Sequence, residues 1–99
     1  MELALHPAAE AEVREAWLRY RASDPVVASR FMAALDRAIE QIADHPERWP
    51  LYLHGTRRHL LRRFPFSVVY RVEVRSVLVV AIAHQRRRPG YWRRRGAKT

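Results

Sequence analysis

Arginine is the residue type through which this chain would do chemistry. Arg57, Arg58, Arg62, Arg63 and Arg71 fall in one short stretch, and Arg86-Arg87-Arg88 and Arg93-Arg94-Arg95 flank Tyr91-Trp92 further on. Guanidinium groups grip phosphate or carboxylate oxygens bidentately. A cluster of them could also stabilise the transition state of phosphodiester cleavage without a metal. The simpler alternative is a solvated sheet face, but this stretch is too basic to be only that. Basic residues interleaved with aromatics suit stacking on unpaired bases as well as phosphate contact. They suit equally well a Trp92 packed on the domain with the arginines in water. His84 ends an apolar run and is a candidate general base, because its ordinary pKa lies near neutrality. The preferred reading of His84 is still a structural histidine hydrogen-bonded at a strand end.

Other chemistries find little support. The histidines (His6, His45, His54, His59 and His84) are scattered without metal-ligand spacing, and there is no Cys. Thiolate nucleophiles, disulfide scaffolds and Cys-based zinc sites are therefore excluded, and neither a metal nor a cofactor is expected. No Gly-rich phosphate loop, Ser-His-Asp arrangement or paired carboxylate site is apparent. Glu40, Asp44 and Glu47 read as ordinary surface charge near a helix end.

The charge is unevenly placed. Residues 1–56 hold six basic and nine acidic side chains, whereas residues 57–99 hold thirteen basic ones against Glu73 alone. The basic half needs an acidic counterpart, either nucleic acid or an acidic protein segment. A net charge of +9 with 48% apolar and 29% charged residues still marks a globular chain. Ninety-nine residues allow one core and one domain, residues 1–99, with a basic tail from about residue 86. The longest apolar run, Val77 to Ala83, falls far short of the ~20 residues of a membrane helix. The N-terminus has no signal-peptide pattern, so a cytoplasmic location without membrane contact is expected.

The elements that must position these arginines follow from periodicity. Leu3 and Leu5 alternate, as in an edge or first strand. Pro7 then opens a helix to about Arg21, with Val13, Ala16, Trp17 and Tyr20 on one face and Glu10 and Glu12 near its positive end. Asp24 and Pro25 restart a second helix, about three residues later, with Val27, Phe31, Leu35, Ala38 and Ile42 as its stripe. Pro46 ends it near Asp44. Residues 45–56 read as a loop whose Trp49, Leu51, Tyr52 and Leu53 fold back over the core. Arg57–Phe64 reads as a strand, Phe66–Val74 as a period-two strand, and Val77–His84 as a central strand after a turn near Arg75-Ser76. The result is an α+β fold, β-α-α-β-β-β, with an αα-hairpin packed on an antiparallel sheet. Residues 86–99 read as irregular or weakly helical.

The stretches Arg63-Phe64-Pro65-Phe66-Ser67-Val68-Val69-Tyr70-Arg71 and Val80-Ala81-Ile82-Ala83-His84-Gln85-Arg86-Arg87-Arg88-Pro89-Gly90-Tyr91-Trp92 resemble the RelE/ParE superfamily of toxins from type II toxin–antitoxin modules. The loop His45-Pro46-Glu47-Arg48-Trp49-Pro50 is similar to the same family. The resemblance spans nearly the whole chain, lies closest to the plasmid-stabilisation or ParE-type branch, and implies the β-α-α-β-β-β fold reached above.

That resemblance implies a growth-inhibiting toxin with one of two targets. RelE-type members cut mRNA on the ribosome, whereas ParE-type members poison DNA gyrase and are not nucleases. The RelE-type pattern carries an Arg three residues before the Tyr of the third strand, where this chain has Ser67. It also carries a Tyr in the tail, where this chain has Trp92, with Tyr91 one residue out of register; the Arg matching Arg86 is kept. Gyrase is thus the favoured target. The alternative is a ribosome-dependent mRNA endoribonuclease with a displaced site of His84, Arg62, Arg71, Arg86 and Tyr91. A non-catalytic nucleic-acid-binding module is the third reading. The resemblance further implies a cognate acidic antitoxin that wraps the toxin. Target or antitoxin would meet Arg57, Arg58, Arg62, Arg63, Arg71, Arg86, Arg87, Arg88, Tyr91 and Trp92.

Overall fold

The computed structural model describes residues 2–96. Seven elements follow in order: β1 (Glu2–Leu5), α1 (Pro7–Ser23), α2 (Pro25–Asp44), a 3₁₀ turn (Leu53–Gly55), β2 (Arg57–Leu60), β3 (Phe66–Val72) and β4 (Ser76–His84).

The two helices meet at one residue, not at a three-residue linker. Asp24 has extended backbone, which the following proline enforces, and its N–H donates to Tyr20 O, closing α1. Its carboxylate accepts from the Val26 N–H at 2.9 Å, opening α2. One aspartate therefore serves both helices, and α1 runs on to Ser23.

The sheet has the order β1-β4-β3-β2. β2, β3 and β4 form the expected antiparallel meander, but β1 pairs with β4 in parallel, so the sheet is mixed and not antiparallel throughout. The reason lies in the connections. The two helices run out and back, returning the chain to the end where β1 began. β2 then runs with β1, β3 reverses, and β4 reverses again and so runs with β1.

Several boundaries fall short of the expected ones. β2 stops at Leu60 because Arg63 adopts a left-handed φ of 69° and Pro65 follows, which turns the chain over residues 61–65. β3 ends at Val72, leaving Val74 94% exposed in the turn to β4. In the loop, Trp49 packs on the core and Tyr52 on the opposite sheet face, but Leu51 and Leu53 are exposed. Residues 85–96 are a succession of turns, and the last three tail residues lie outside those described.

A bulge decides which side chains share a face. Val69 pairs with Ala81 but Tyr70 pairs with Val79, so Val80 is the extra residue. Val77 and Val79 therefore face the helices together with Ile82 and His84, while Leu78, Val80, Ala81 and Ala83 face away. On the helix side Ala9, Ala16, Phe31, Leu35, Ala38 and Ile42 close over Phe66, Val68, Tyr70, Val77, Val79 and Ile82. Tyr20, Phe31, Phe64 and Phe66 gather at one end with Tyr20–Phe31 centroids 5.3 Å apart. Such pairs add about 0.5–1.5 kcal/mol each beyond their buried area.

Candidate functional site: the tail latch and the arginine turns

β1 is too short to cover β4. Its pairing ends as the His6 N–H donates to Val79 O, which leaves the β4 edge open from Val80 onward. Two charged side chains take the place of the missing strand. The Ile82 N–H donates to Glu12 Oε1 at 2.9 Å, and Arg95 Nη1 donates to Val80 O at 3.2 Å. Glu12 and Arg95 form an ion pair at 2.9 Å, and the Tyr91 hydroxyl donates to Glu12 Oε2 at 2.7 Å. A carboxylate from α1 thus joins the tail to the sheet edge.

The Tyr91 phenol holds its proton well above the usual tyrosine range. Burial raises its pKa strongly, and the hydrogen bond and negative charge of Glu12 push the same way, against smaller opposing effects of Arg95 and Arg87. Its ring lies between guanidiniums, Arg87 at 3.9 Å and Arg95 at 5.0 Å from the centroid. It is built to donate one hydrogen bond and not to abstract a proton.

Glu12, expected from the sequence only to favour the positive end of α1, is central to this latch. A signal was present. Glu12 lies three residues after Ala9 and four before Ala16, both buried, so it sits on the inward stripe of α1.

The far face of the sheet is covered by the tail. Trp92 is 1% exposed against Val69, Val80 and Ala81, with Tyr52 tilted at 5.9 Å. The packed alternative for Trp92 is the one realised. Arg71 reaches from β3 to hold the tail backbone, donating from Nη1 to Arg95 O at 2.6 Å and from Nη2 to Arg93 O at 3.3 Å. Gly96 finishes the dock with φ 77°, and a Cβ there would come within 2.7 Å of Leu78 Cδ2.

The remaining candidates divide into anchored and free. Arg57 Nη1 donates to Trp49 O at 2.6 Å and to Glu47 O at 3.1 Å, so it pins the loop after α2. Arg58 stacks over the Tyr52 ring at 4.1 Å. Arg62, Arg63, Arg86 and Arg88 are exposed, with no side-chain hydrogen bond or ion pair among the described residues. Arg87 is exposed and stacks on the Tyr91 ring, with no side-chain hydrogen bond or ion pair among the described residues. These five sit on two turns that meet at one end of the sheet, where the Gln85 N–H donates to Pro65 O at 2.9 Å.

His84 stands at that end on the helix side. Its ring meets Phe66 edge-on at 5.0 Å, and its Nδ1 accepts from the Arg86 N–H at 3.0 Å. It lines a groove of about 500 Å³ with Glu12, Glu15, Arg19, Arg86 and Arg87. Arg71 lies on the opposite face, five residues along β3 from the Phe66 that pairs with His84, or roughly 16 Å away. The five residues of the displaced ribonuclease site are therefore not brought together. Ser67 faces the tail side beside Trp92, Arg58 and Arg88 around a smaller cavity of about 220 Å³. Among the described residues, no three His, Asp or Glu side chains come together as a metal site, and no helix is long and apolar enough to cross a membrane.

Comparison with known proteins agrees with this architecture. A chain of the solved structure "Chromosomal ParDE TA system from P. aeruginosa" is similar with a TM-score of 0.75 at 20% identity, over 85% of this chain and 95% of that one. Among curated proteins nothing matches. The family model described as "ParE toxin of type II toxin-antitoxin system, parDE" matches residues 3–89, which takes in both helices, all of the sheet but Glu2, and the arginine turns, but stops before Tyr91 and Trp92. The chain belongs to the ParE toxin family of type II toxin–antitoxin systems.

Proposed function

We propose that this toxin arrests growth by acting on DNA gyrase, without cutting RNA, and that a cognate acidic antitoxin holds it in check. The observation that carries this reading is the use made of Arg71, Tyr91 and Trp92. All three are committed to docking the tail, through the hydrogen bonds of Arg71, the Tyr91–Glu12 contact and the burial of Trp92. General acid–base cleavage needs a base and an acid within hydrogen-bond reach of one phosphate. Here the Tyr91 hydroxyl is engaged by Glu12, and His84 and Arg71 lie on opposite faces. A toxin of this build acts by occupying a target surface.

The antitoxin part of the proposal rests on family membership and on charge. Residues 57–99 carry thirteen basic side chains against one acidic one, and an acidic segment would neutralise them. Half-exposed Leu18 lies beside Val13, Trp17 and Met32 on the outer side of the helix pair and gives such a segment apolar anchors.

The test uses the purified chain in two assays. It should block supercoiling of relaxed plasmid by gyrase, and added antitoxin should relieve the block. A ribosome-bound message should stay intact at the same toxin concentration. Cleaved message with undisturbed supercoiling would replace this reading with the ribonuclease one. Activity in neither assay, with unaffected growth on induction, would leave the non-catalytic nucleic-acid-binding module.

A further inference from the structure

We propose that the two apposed arginine turns, Leu61–Pro65 and Gln85–Arg88, form a binding surface for the sugar–phosphate backbone of duplex DNA. The inference deepens the gyrase reading and rests on it for its biological setting, since gyrase works while holding DNA. The binding itself is a separate property of this chain.

Four observations support it. The first is freedom. Arg62, Arg63, Arg86 and Arg88 have no side-chain partner among the described residues, and Arg87 has only an aromatic one. Arg57, Arg71 and Arg95, by contrast, are spent on backbone carbonyls. Charge that stabilises nothing within the domain is available to a ligand.

The second is layout. One turn joins β2 to β3 and the other follows β4, and the two are tied by Gln85 N–H to Pro65 O. They span about two strand spacings, roughly 10 Å. The grooves of B-DNA are ~6 and ~12 Å wide, so arginines on both turns reach phosphates on either side of one groove.

The third is strain. Arg63 holds a left-handed φ of 69°, a conformation that glycine adopts without cost. Here it carries a long cationic side chain at the tip of the turn.

The fourth is the lack of what other partners need. A protein partner is anchored by a buried apolar centre. Around these turns the exposed apolar side chain is Leu60, at the margin. Single strands need free aromatic platforms. At this end Phe66 is buried, Phe64 packs on Tyr20 and Phe31, and Tyr91 lies between guanidiniums. Of the carboxylates across the groove, Glu12 is already committed to Tyr91 and Arg95, while Glu15 is exposed. Guanidinium groups with neither apolar anchors nor stacking rings fit a phosphate backbone, without base reading.

The test is fluorescence anisotropy of a 20-base-pair duplex with the purified chain, titrated from 50 to 200 mM salt. Five phosphate contacts predict a slope of log K against log salt of about −4.5, which is a fall of about 500-fold over that range. The triple variant Arg62→Gln/Arg63→Gly/Arg88→Gln should lower the magnitude of the slope by about 3. Its thermal midpoint should be unchanged or higher, because Arg63→Gly releases strain. A control variant, Arg14→Gln/Arg30→Gln/Arg37→Gln, removes the same charge from exposed helix positions. It should keep most of the binding. Equal losses in the two variants or a flat salt dependence would each overturn the proposal. A chain that binds duplex but leaves gyrase untouched removes the proposed target and keeps this surface. A chain that inhibits gyrase without salt-steep duplex binding does the reverse.

Discussion

Beneath the helices, the sheet is closed by interleaved apolar side chains from both layers, with Phe31, Leu35 and Ile42 set against Val68, Tyr70 and Val79. On the other face Trp92, with Tyr52 beside it, covers Val69, Val80 and Ala81, and the tail is held in place by polar contacts: Arg71 on tail carbonyls, and Glu12 with Tyr91 and Arg95. The first closure is non-directional and spread over many residues, so no single polar partner governs it. The second depends on a few particular atoms, which predicts a latch whose opening leaves the rest of the domain folded.

The largest effect should come from the helix-side face. Phe31→Ala removes a fully buried ring, and chemical denaturation should show a loss of about 3–5 kcal/mol with one cooperative transition. Trp92→Ala deletes a side chain just as buried, yet it should cost only about 1–3 kcal/mol of global stability, because the tail can detach. Amide exchange should then quicken over residues 91–95 while β3 and β4 stay protected. A global loss as large as that of Phe31→Ala would erase the distinction between the faces.

Glu12→Gln should come next, at about 1–2 kcal/mol, discounted because the ion pair is partly solvated. It leaves an oxygen for the Ile82 N–H but removes the charge that Arg95 and Tyr91 share. In a double-mutant cycle with Arg95→Met, the two losses should fall short of adding, which is the mark of one shared contact.

The smallest effect is a pH dependence. Burial and Glu12 hold the Tyr91 phenol protonated well above its ordinary value of 10.0. The unfolded chain releases that proton near pH 10 and the folded chain does so later. Tail docking is therefore fully supported below pH 10 and weakens as pH rises beyond it. Tyr91→Phe should flatten this part of the stability–pH curve between pH 9 and 11. Tyr70 and Tyr20, also raised by burial, supply what remains.

The difference between the faces also explains what the sequence made legible. Helix stripes, the Asp24-Pro25 restart and the meander rest on periodicity and local backbone rules, and they were readable to within a few residues. The parallel β1–β4 pair follows from counting chain reversals, a step the pattern of strands alone does not prompt. The Val80 bulge was hidden because Val77–Ala83 is apolar throughout, so a change of face leaves no trace in hydropathy; it is what puts His84 beside Phe66. The latch was hidden because its pairs, such as Glu12 with Tyr91, lie 79 residues apart in the chain. Arginines of one composition were likewise indistinguishable as letters. The structure separates Arg57 and Arg71, which hold carbonyls, from Arg62, Arg63 and Arg88, whose side chains have no hydrogen bond or ion pair among the described residues.

The central claim, a toxin that acts on gyrase through its surface and not on RNA through catalysis, is tested most directly in cells. DNA synthesis and protein synthesis are followed side by side by pulse labelling in the first minutes after induction without antitoxin. The account predicts that thymidine incorporation falls first while amino-acid incorporation continues. An earlier fall in amino-acid incorporation, with DNA synthesis still running, would contradict it.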